Sequence, residues 1–341
     1  MSSGDLAFGV VGLGFGANHA RVLAQVEGVR LAAVCDTDER RLAAAAAGRS
    51  LHSYADFETM LASERLDAVV VAVPARLHEA VALAAVRAGC AVLVEKPLAP
   101  SLEDGRRLVR AAADAGAPLM AGHIERFNPA LQALAWRVRA GDIGRILQLT
   151  ARRSAAMRLP PKDVNVVHDS ALHDIDAMRF VVGAEVDQVY AAGQTGIVTE
   201  SENSLLGLLR FEPSGGTSAL ASLEVNWLSP RRLRDLAVLG DEGMLVLDYA
   251  AQTLDYYRTP AVRSGPVRDW EASRSTGATE AVRIPVEPRE QLVQELEAFV
   301  SAVRDGCPMP VTAEDALAAL AIADALTESA RTGRPVTPAK V

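Results

Sequence analysis

Residues 8–23 read FGVVGLGFGANHARVL, an apolar run that breaks on three closely spaced glycines and resumes as a helical pattern. Gly12, Gly14 and Ala17 fit G-x-G-x-x-A, with Phe15 and Gly16 completing the turn. The first glycine permits the tight turn, the second lets the backbone approach a pyrophosphate, and a small third residue allows close helix–strand packing. A second apolar run, Leu31–Cys35, ends at Asp36, about twenty residues beyond the motif, where a carboxylate can accept the ribose hydroxyls. Strand, turn, helix, second strand and terminal acid in this order predict a dinucleotide-binding unit. A carboxylate at Asp36 would repel a 2′-phosphate, so NAD is expected ahead of NADP, with Arg40 and Arg41 the only neighbours that argue the other way.

The same alternation runs on to about residue 122. Short runs rich in Val and Ala, at Ala68–Val73, Ala91–Val94 and Pro118–Ala121, suit strands buried on both faces. Helical patterns lie between and after them at Asn18–Val26, Glu39–Ala47, Ala75–Ala88 and Leu102–Ala115. The fold class expected for residues 1–122 is therefore α/β, a Rossmann domain with a parallel, doubly wound sheet. From residue 123 strand-like stretches come without intervening helices: Ile146–Arg152, Val186–Ala192, Ser204–Phe211, Ser218–Trp227, Leu233–Leu239, Met244–Tyr249 and Thr253–Tyr257. Several alternate polar and apolar residues, which suits an antiparallel sheet with one wetter face. Helical patterns at Pro129–Ala140, Ala171–Val182, Glu290–Arg304 and Ala313–Ala330 make residues 123–341 an α+β domain. Residues 259–281, polar and rich in Gly, Ser and Pro, read as a long loop.

Composition narrows the function. Of 341 residues half are hydrophobic and 23% charged, enough apolar material for two cores. A net charge of −8 excludes a general affinity for nucleic acid or anionic membranes. Cys35, Cys90 and Cys307 are odd in number and widely spaced, and no basic leader precedes the first apolar run, so a cytoplasmic protein is expected.

Further motifs carry a resemblance. Glu95-Lys96-Pro97, GHIERFNPA at 122–130, DSALHDID at 169–176, GDEGMLVLDYAAQTLDYY at 240–257 and the C-terminal stretch from Glu287 together resemble the glucose–fructose oxidoreductase / inositol dehydrogenase (Gfo/Idh/MocA) family. The likeness spans nearly the whole chain, and GHIERFNPA with DYAAQ looks most like the UDP-N-acetylglucosamine 3-dehydrogenase group. It implies a large, open, mostly antiparallel C-terminal sheet, NAD(P)-dependent oxidation of a sugar or sugar-nucleotide hydroxyl, and homo-oligomers, dimers or tetramers, built through that sheet. A cyclic-carbonyl reductase acting on a keto sugar or inosose, and a non-catalytic NAD-binding sensor, are the rival readings.

Oxidising a secondary alcohol needs a base for the hydroxyl proton and a donor that stabilises charge on oxygen. Histidine and lysine suit those tasks. The resemblance implies that His173 is the general base, Asp169 a substrate-binding and orienting carboxylate, and Lys96 the cation at the reacting oxygen. It also places Val73, Pro74, His78, Glu95 and Lys96 near the cofactor. Asp169, His173 and Asp176 are spaced to share one face of a helix beginning near Asp169, with His168 and Asp174 elsewhere. Positions 168 and 173 are therefore not the i, i+4 pair of a helical metal site, and no metal is expected. Arginines beside these segments suit a diphosphate or carboxylate, and Arg126 and Arg158 are the ones expected to bind substrate. Where the family carries glycines before the aspartate and Leu-Gly after it, this chain has VNVVH and Ser170-Ala171, so the pocket is expected to differ in shape.

Overall fold

The computed structural model describes residues 4–154, 164–213, 218–258 and 280–341. Six parallel strands, β1 (Leu6–Val11), β2 (Val29–Cys35), β3 (His52–Tyr54), β4 (Ala68–Val71), β5 (Ala91–Glu95) and β6 (Leu119–Gly122), form a sheet in the order β3-β2-β1-β4-β5-β6. Helices α1 (Gly16–Leu23), α2 (Glu39–Ala46), α3 (Phe57–Ser63), α4 (His78–Arg87) and α5 (Leu102–Ala115) connect them. β1 pairs with both β2 and β4, so the strand order reverses there and leaves a crevice at the carboxyl ends. The sequence reading passed over β3 and α3. β3 is a three-residue edge strand, HSY, without the apolar run that marks its buried neighbours.

The second sheet has eight strands: β7 (Ile146–Ser154), β8 (Val186–Thr195), β9 (Glu202–Phe211), β10 (Leu220–Asn226), β11 (Leu233–Gly240), β12 (Gly243–Asp248), β13 (Thr253–Arg258) and β14 (Val282–Ile284). Their order is β14-β13-β12-β11-β7-β10-β9-β8, antiparallel except where β7 meets β10. Helices α6 (Pro129–Arg139), α7 (Leu172–Val182) and the long α9 (Ala313–Thr332) pack on this sheet and bury residues such as Leu205, Leu209, Phe211 and Leu223. Alternation along the strands sends Tyr190, Leu206, Leu208 and Leu220 outward, where they are exposed. The loop expected at 259–281 lies, but for its last two residues, outside the described residues.

The first core is not built from the N-terminal residues alone. Helix α8 (Gln291–Asp305) contributes Leu292, Leu296, Phe299 and Val300, and the first turns of α9 contribute Ala313, Ala316 and Leu317. Phe299 is fully buried and meets Phe8 of β1 edge-to-face at 5.9 Å. Further along α9, Ala319, Ile322, Ala323 and Leu326 enter the second core. One helix thus spans both cores, its start fixed by a reciprocal Thr312–Asp315 capping box.

Candidate active site

A cavity of about 710 Å³ opens between the carboxyl ends of β4 and β5 and the second sheet. Phe15, Val73, Pro74, His78, Glu95 and Lys96 line one side; Asp169, Ser170, His173, Trp227 and Arg234 line the other.

The glycine turn differs in one detail from its expected form. Gly12 has φ +91°, and a side chain there would meet the Ala72 carbonyl oxygen at 2.6 Å, so glycine is obligatory. Close packing of helix on strand falls to Gly16, whose added Cβ would sit 3.1 Å from both Ala72 Cβ and Val10 Cγ1. Ala17 is exposed and does not carry that packing; α1 starts one residue earlier than the motif spacing implies. Gly14 has open space beside it: a Cβ added there would meet, among the described residues, Arg41 alone, at 3.8 Å. At the end of β2, Asp36 accepts hydrogen bonds from Leu13 N (2.6 Å) and Asp38 N (2.8 Å), which fix its carboxylate beside the turn. An open backbone turn at a helix start, with an oriented carboxylate behind it, fits a dinucleotide.

β5 delivers Glu95 and Lys96, followed by a cis Lys96–Pro97 bond. The Lys96 ammonium donates to the Asp169 carbonyl and lies 3.2 Å from Asp169 Oδ1. Asp169 Oδ2 also accepts from Trp227 Nε1 (3.1 Å) and Ser170 Oγ (2.9 Å). Burial alone would raise this carboxyl, but Lys96 and the donated hydrogen bonds win and hold it below the ordinary range. Ser170, a departure from the family pattern, is thus part of the cavity wall. His78 is buried, its ring nitrogens 2.8 Å from the Val73 carbonyl and 2.6 Å from the Pro97 carbonyl, so it ties the ends of β4 and β5 together.

Asp169 does not begin an ordinary helix. Val167–Ala171 form a π-helical turn, opened by the Asn165 side chain accepting from Val167 N and His168 N, and α7 follows at Leu172. Wider turns of this kind recur at functional sites. The turn sets Asp169 and His173 into the cavity and swings His168 away to lie between Asn165 and Asp324, 2.8 Å from each. Asp176, one helical turn on from His173, does not line the cavity and instead receives the Arg126 guanidinium. No group of three or more His, Cys, Asp or Glu among the described residues is arranged to hold a metal ion. Burial, and then the charges of Lys96 and Arg153, drive the His173 imidazole well below its usual 6.5, so it is neutral and able to accept a proton.

The arginines are redistributed. Arg126, expected to bind substrate, does not line the cavity: its guanidinium is taken up by Asp176, with bonds of 2.8 and 2.7 Å, and by Asp315 at 2.8 Å. Arg158 lies outside the described residues. Arg152 pairs with Asp235 on the exposed side, while Arg153 lines the cavity, gripped by Asp174 and Glu125. The sequence reading missed Arg232, Arg234 and Trp227. The available signal was the i, i+2 spacing of Arg232 and Arg234 as the chain enters β11, which places both on one strand face.

Beneath the cavity, His19 Nε2 meets Glu95 Oε1 at 2.8 Å. Close to this pair, Glu295 of α8 is fully buried, and neither of its carboxyl oxygens has a hydrogen-bond partner among the described residues. Burial, reinforced by Glu95, pushes the Glu295 carboxyl well above the usual 4.5, so it is protonated in the fold. A carboxyl raised on folding stabilises below its unfolded value and loses that contribution as pH rises through the folded value. Urea unfolding should accordingly show Glu295→Met gaining stability over the wild type by more at about pH 9 than at about pH 5. Equal differences at both pH values would mean that Glu295 is ionised in the fold.

A doubly wound nucleotide-binding sheet, facing a cavity where a lysine, an aspartate and a neutral histidine meet, defines a two-part dehydrogenase of the nicotinamide-dependent kind. Residues 6–123 match the Gfo/Idh/MocA family described as an oxidoreductase family with an NAD-binding Rossmann fold, and residues 137–337 match its C-terminal alpha/beta domain. The chain is 32% identical to inositol 2-dehydrogenase 2 of Saccharopolyspora erythraea, over 95% of this chain and 93% of that one. Among solved structures it is similar to the UDP-N-acetylglucosamine 3-dehydrogenase of Acidithiobacillus ferrooxidans, at 26% identity and TM-score 0.80, covering 95% and 97% of the two chains. It is likewise similar to a Bordetella pertussis dehydrogenase in complex with NADH and UDP-GlcNAcA, at 25% identity and TM-score 0.80, covering 99% of each. The protein belongs to the Gfo/Idh/MocA oxidoreductase family and is an NAD(P)-dependent enzyme acting on CH–OH groups.

Proposed function

We propose that this enzyme is an NAD-dependent sugar dehydrogenase that oxidises a secondary hydroxyl, the 3-hydroxyl of a UDP-linked sugar being the reading that its likeness to the UDP-N-acetylglucosamine 3-dehydrogenase supports. The observation that carries it is the meeting of Lys96, Asp169 and His173 in one cavity on the side where the glycine turn and Asp36 would hold the dinucleotide. Residues 1–122 then serve the cofactor and residues 123–341 the substrate and assembly. In this reading His173 takes the hydroxyl proton, Lys96 donates a hydrogen bond to the oxygen as it gains carbonyl character, and Asp169 fixes Lys96 and the sugar. Phe15, Val73, Pro74, His78 and Glu95 wall the nicotinamide end, and bound NAD supplies the hydride acceptor.

The test is a panel of UDP-sugars, free hexoses and inositols, followed by NADH absorbance in both directions. Turnover of a UDP-sugar supports the reading, and silence with every sugar in both directions removes it. NAD over NADP rests on Asp36, whose carboxylate would face a 2′-phosphate. We expect kcat/KM to favour NAD by about 10²-fold and Asp36→Ser to narrow that gap at least ten-fold, since like-charge juxtaposition costs several kcal/mol. An unchanged preference in Asp36→Ser would place selectivity elsewhere. The exposed row of Tyr190, Leu206, Leu208 and Leu220 supports a dimer or tetramer built through the second sheet. Three cysteines without disulfides support a reducing, cytoplasmic setting. No helix among the described residues is long and apolar enough to cross a membrane.

A further inference from the structure

The cations of the cavity are not equally satisfied. Lys96 has Asp169, and Arg153 has Asp174 and Glu125. Arg232 and Arg234 line the same cavity, and neither has an ion pair or a side-chain hydrogen bond among the described residues. Arg234 stands directly across from Arg153 in the β7–β11 register, and its Nε is buried without a hydrogen-bond partner among the described residues. A buried guanidinium N–H left unfilled is costly, and native folds rarely tolerate one unless something else completes it. Among the described residues, the carboxylates around Arg234 are already committed: Asp174 and Glu125 to Arg153, Asp235 to Arg152, Asp169 to Lys96.

We propose that Arg234, with Arg232 at the rim, is an oxyanion subsite of the cavity, and that the sugar oxidised at His173 carries a carboxylate or phosphate that docks there. The claim deepens the sugar-dehydrogenase reading and rests on it. Guanidinium forks favour planar or tetrahedral oxyanions that can take two parallel hydrogen bonds. The subsite also lies close enough to the reacting centre for Arg234 to help keep His173 neutral. Burial and the two nearby arginines lower Arg234 to about 10, which still leaves it charged at neutral pH and relieved by an arriving anion. Lacking a matching anion, neutral polyols would leave both arginines unanswered. Arg232 and Arg234 are thus specificity-determining residues, separate from the proton-handling set.

Titration calorimetry on the NADH-loaded protein tests this with four probes: glucuronate, glucose 1-phosphate, UDP-N-acetylglucosamine, and the neutral myo-inositol. Charge-assisted bidentate contacts predict that at least one anionic probe binds about ten-fold or more tighter than myo-inositol. Arg234→Met should erase that preference while changing NADH and myo-inositol affinity less than about two-fold, and Arg234→Lys should restore part of it. Unchanged NADH affinity certifies that each variant is folded. Glucuronate as the preferred probe assigns a ring carboxylate; glucose 1-phosphate or the UDP-sugar assigns a phosphate at the anomeric carbon. Myo-inositol binding as tightly as all three anions, or an Arg234→Met variant that keeps the preference, overturns the subsite alone. NADH binding with no response to any sugar overturns the sugar reading and the subsite with it.

Discussion

Replacing His173 with alanine is expected to lower kcat/KM by about 10²–10⁴-fold while NADH affinity stays within a factor of about two, the loss characteristic of a deleted general base. The reason lies in the charges around the ring. Burial comes first, and Lys96, Arg153, His123 and Arg234 add to it, so protonating His173 is opposed from several directions. The base is therefore in its working form through the neutral range, and activity falls only as pH drops through a value well below 6.5. Lys96→Met makes the same argument from the other side. It removes a cation beside His173, so the acid limb of the kcat/KM profile should move up toward the ordinary histidine value, while the plateau falls through loss of the oxygen donor. A merely structural lysine would lower the plateau without moving the limb. An unaltered acid limb in Lys96→Met, or full turnover in His173→Ala, would remove these residues from the chemistry.

The second large effect concerns stability. Arg126→Met should cost about 3–5 kcal/mol in urea unfolding, because it strands a buried carboxylate instead of removing a matched pair. Asp176 is 1% exposed and receives both arms of the Arg126 fork. Asp315 loses a partner too, and with it the cap of α9 loosens. Burial would raise the Asp315 carboxyl, but its bonds to Arg126 outweigh that and hold it at about 2. A carboxyl depressed on folding stabilises above its unfolded value, and that contribution is lost as pH falls through the folded one. The wild type should therefore lose stability from about pH 4 toward about pH 2, and Arg126→Met should show less of that slope. The double variant Arg126→Met/Asp176→Leu should recover most of the loss, since deleting a whole buried pair is far milder than halving it. No recovery would mean that the guanidinium's stacking on Phe180, 5.3 Å from the ring centroid, and its bond to Asp315 matter more than its pair with Asp176.

Much of this was legible in the residues. The strands of the first sheet announced themselves as short apolar runs because both their faces are buried, and the second sheet showed through alternation because one of its faces is not. Lys96, Asp169 and His173 were named from motifs and do meet in one cavity. Three things were hidden. Ion-pair choice was one: nothing in the sequence says that Arg126 will spend its fork on Asp176, fifty positions away, and leave Arg234 unanswered. The π turn was another, since an α-helical spacing rule cannot foresee the wider turn that carries Asp169 into α7. Ala17 was the third, because the motif assigns the close approach to its third small residue and the helix turns Gly16 to the strand instead.

The way α8 returns to the first sheet bears on how the chain comes to be folded. A ribosome delivers the glycine turn and all six parallel strands long before Leu296 and Phe299 emerge to cover them. Until then the apolar side of β1 has no lid, and the nucleotide half waits for the last fifth of the protein. The first core is therefore completed last, and a chain cut between the halves would part it from the α8 and α9 residues that close it. The two halves of the chain thus share a single fate at birth, before they share any chemistry.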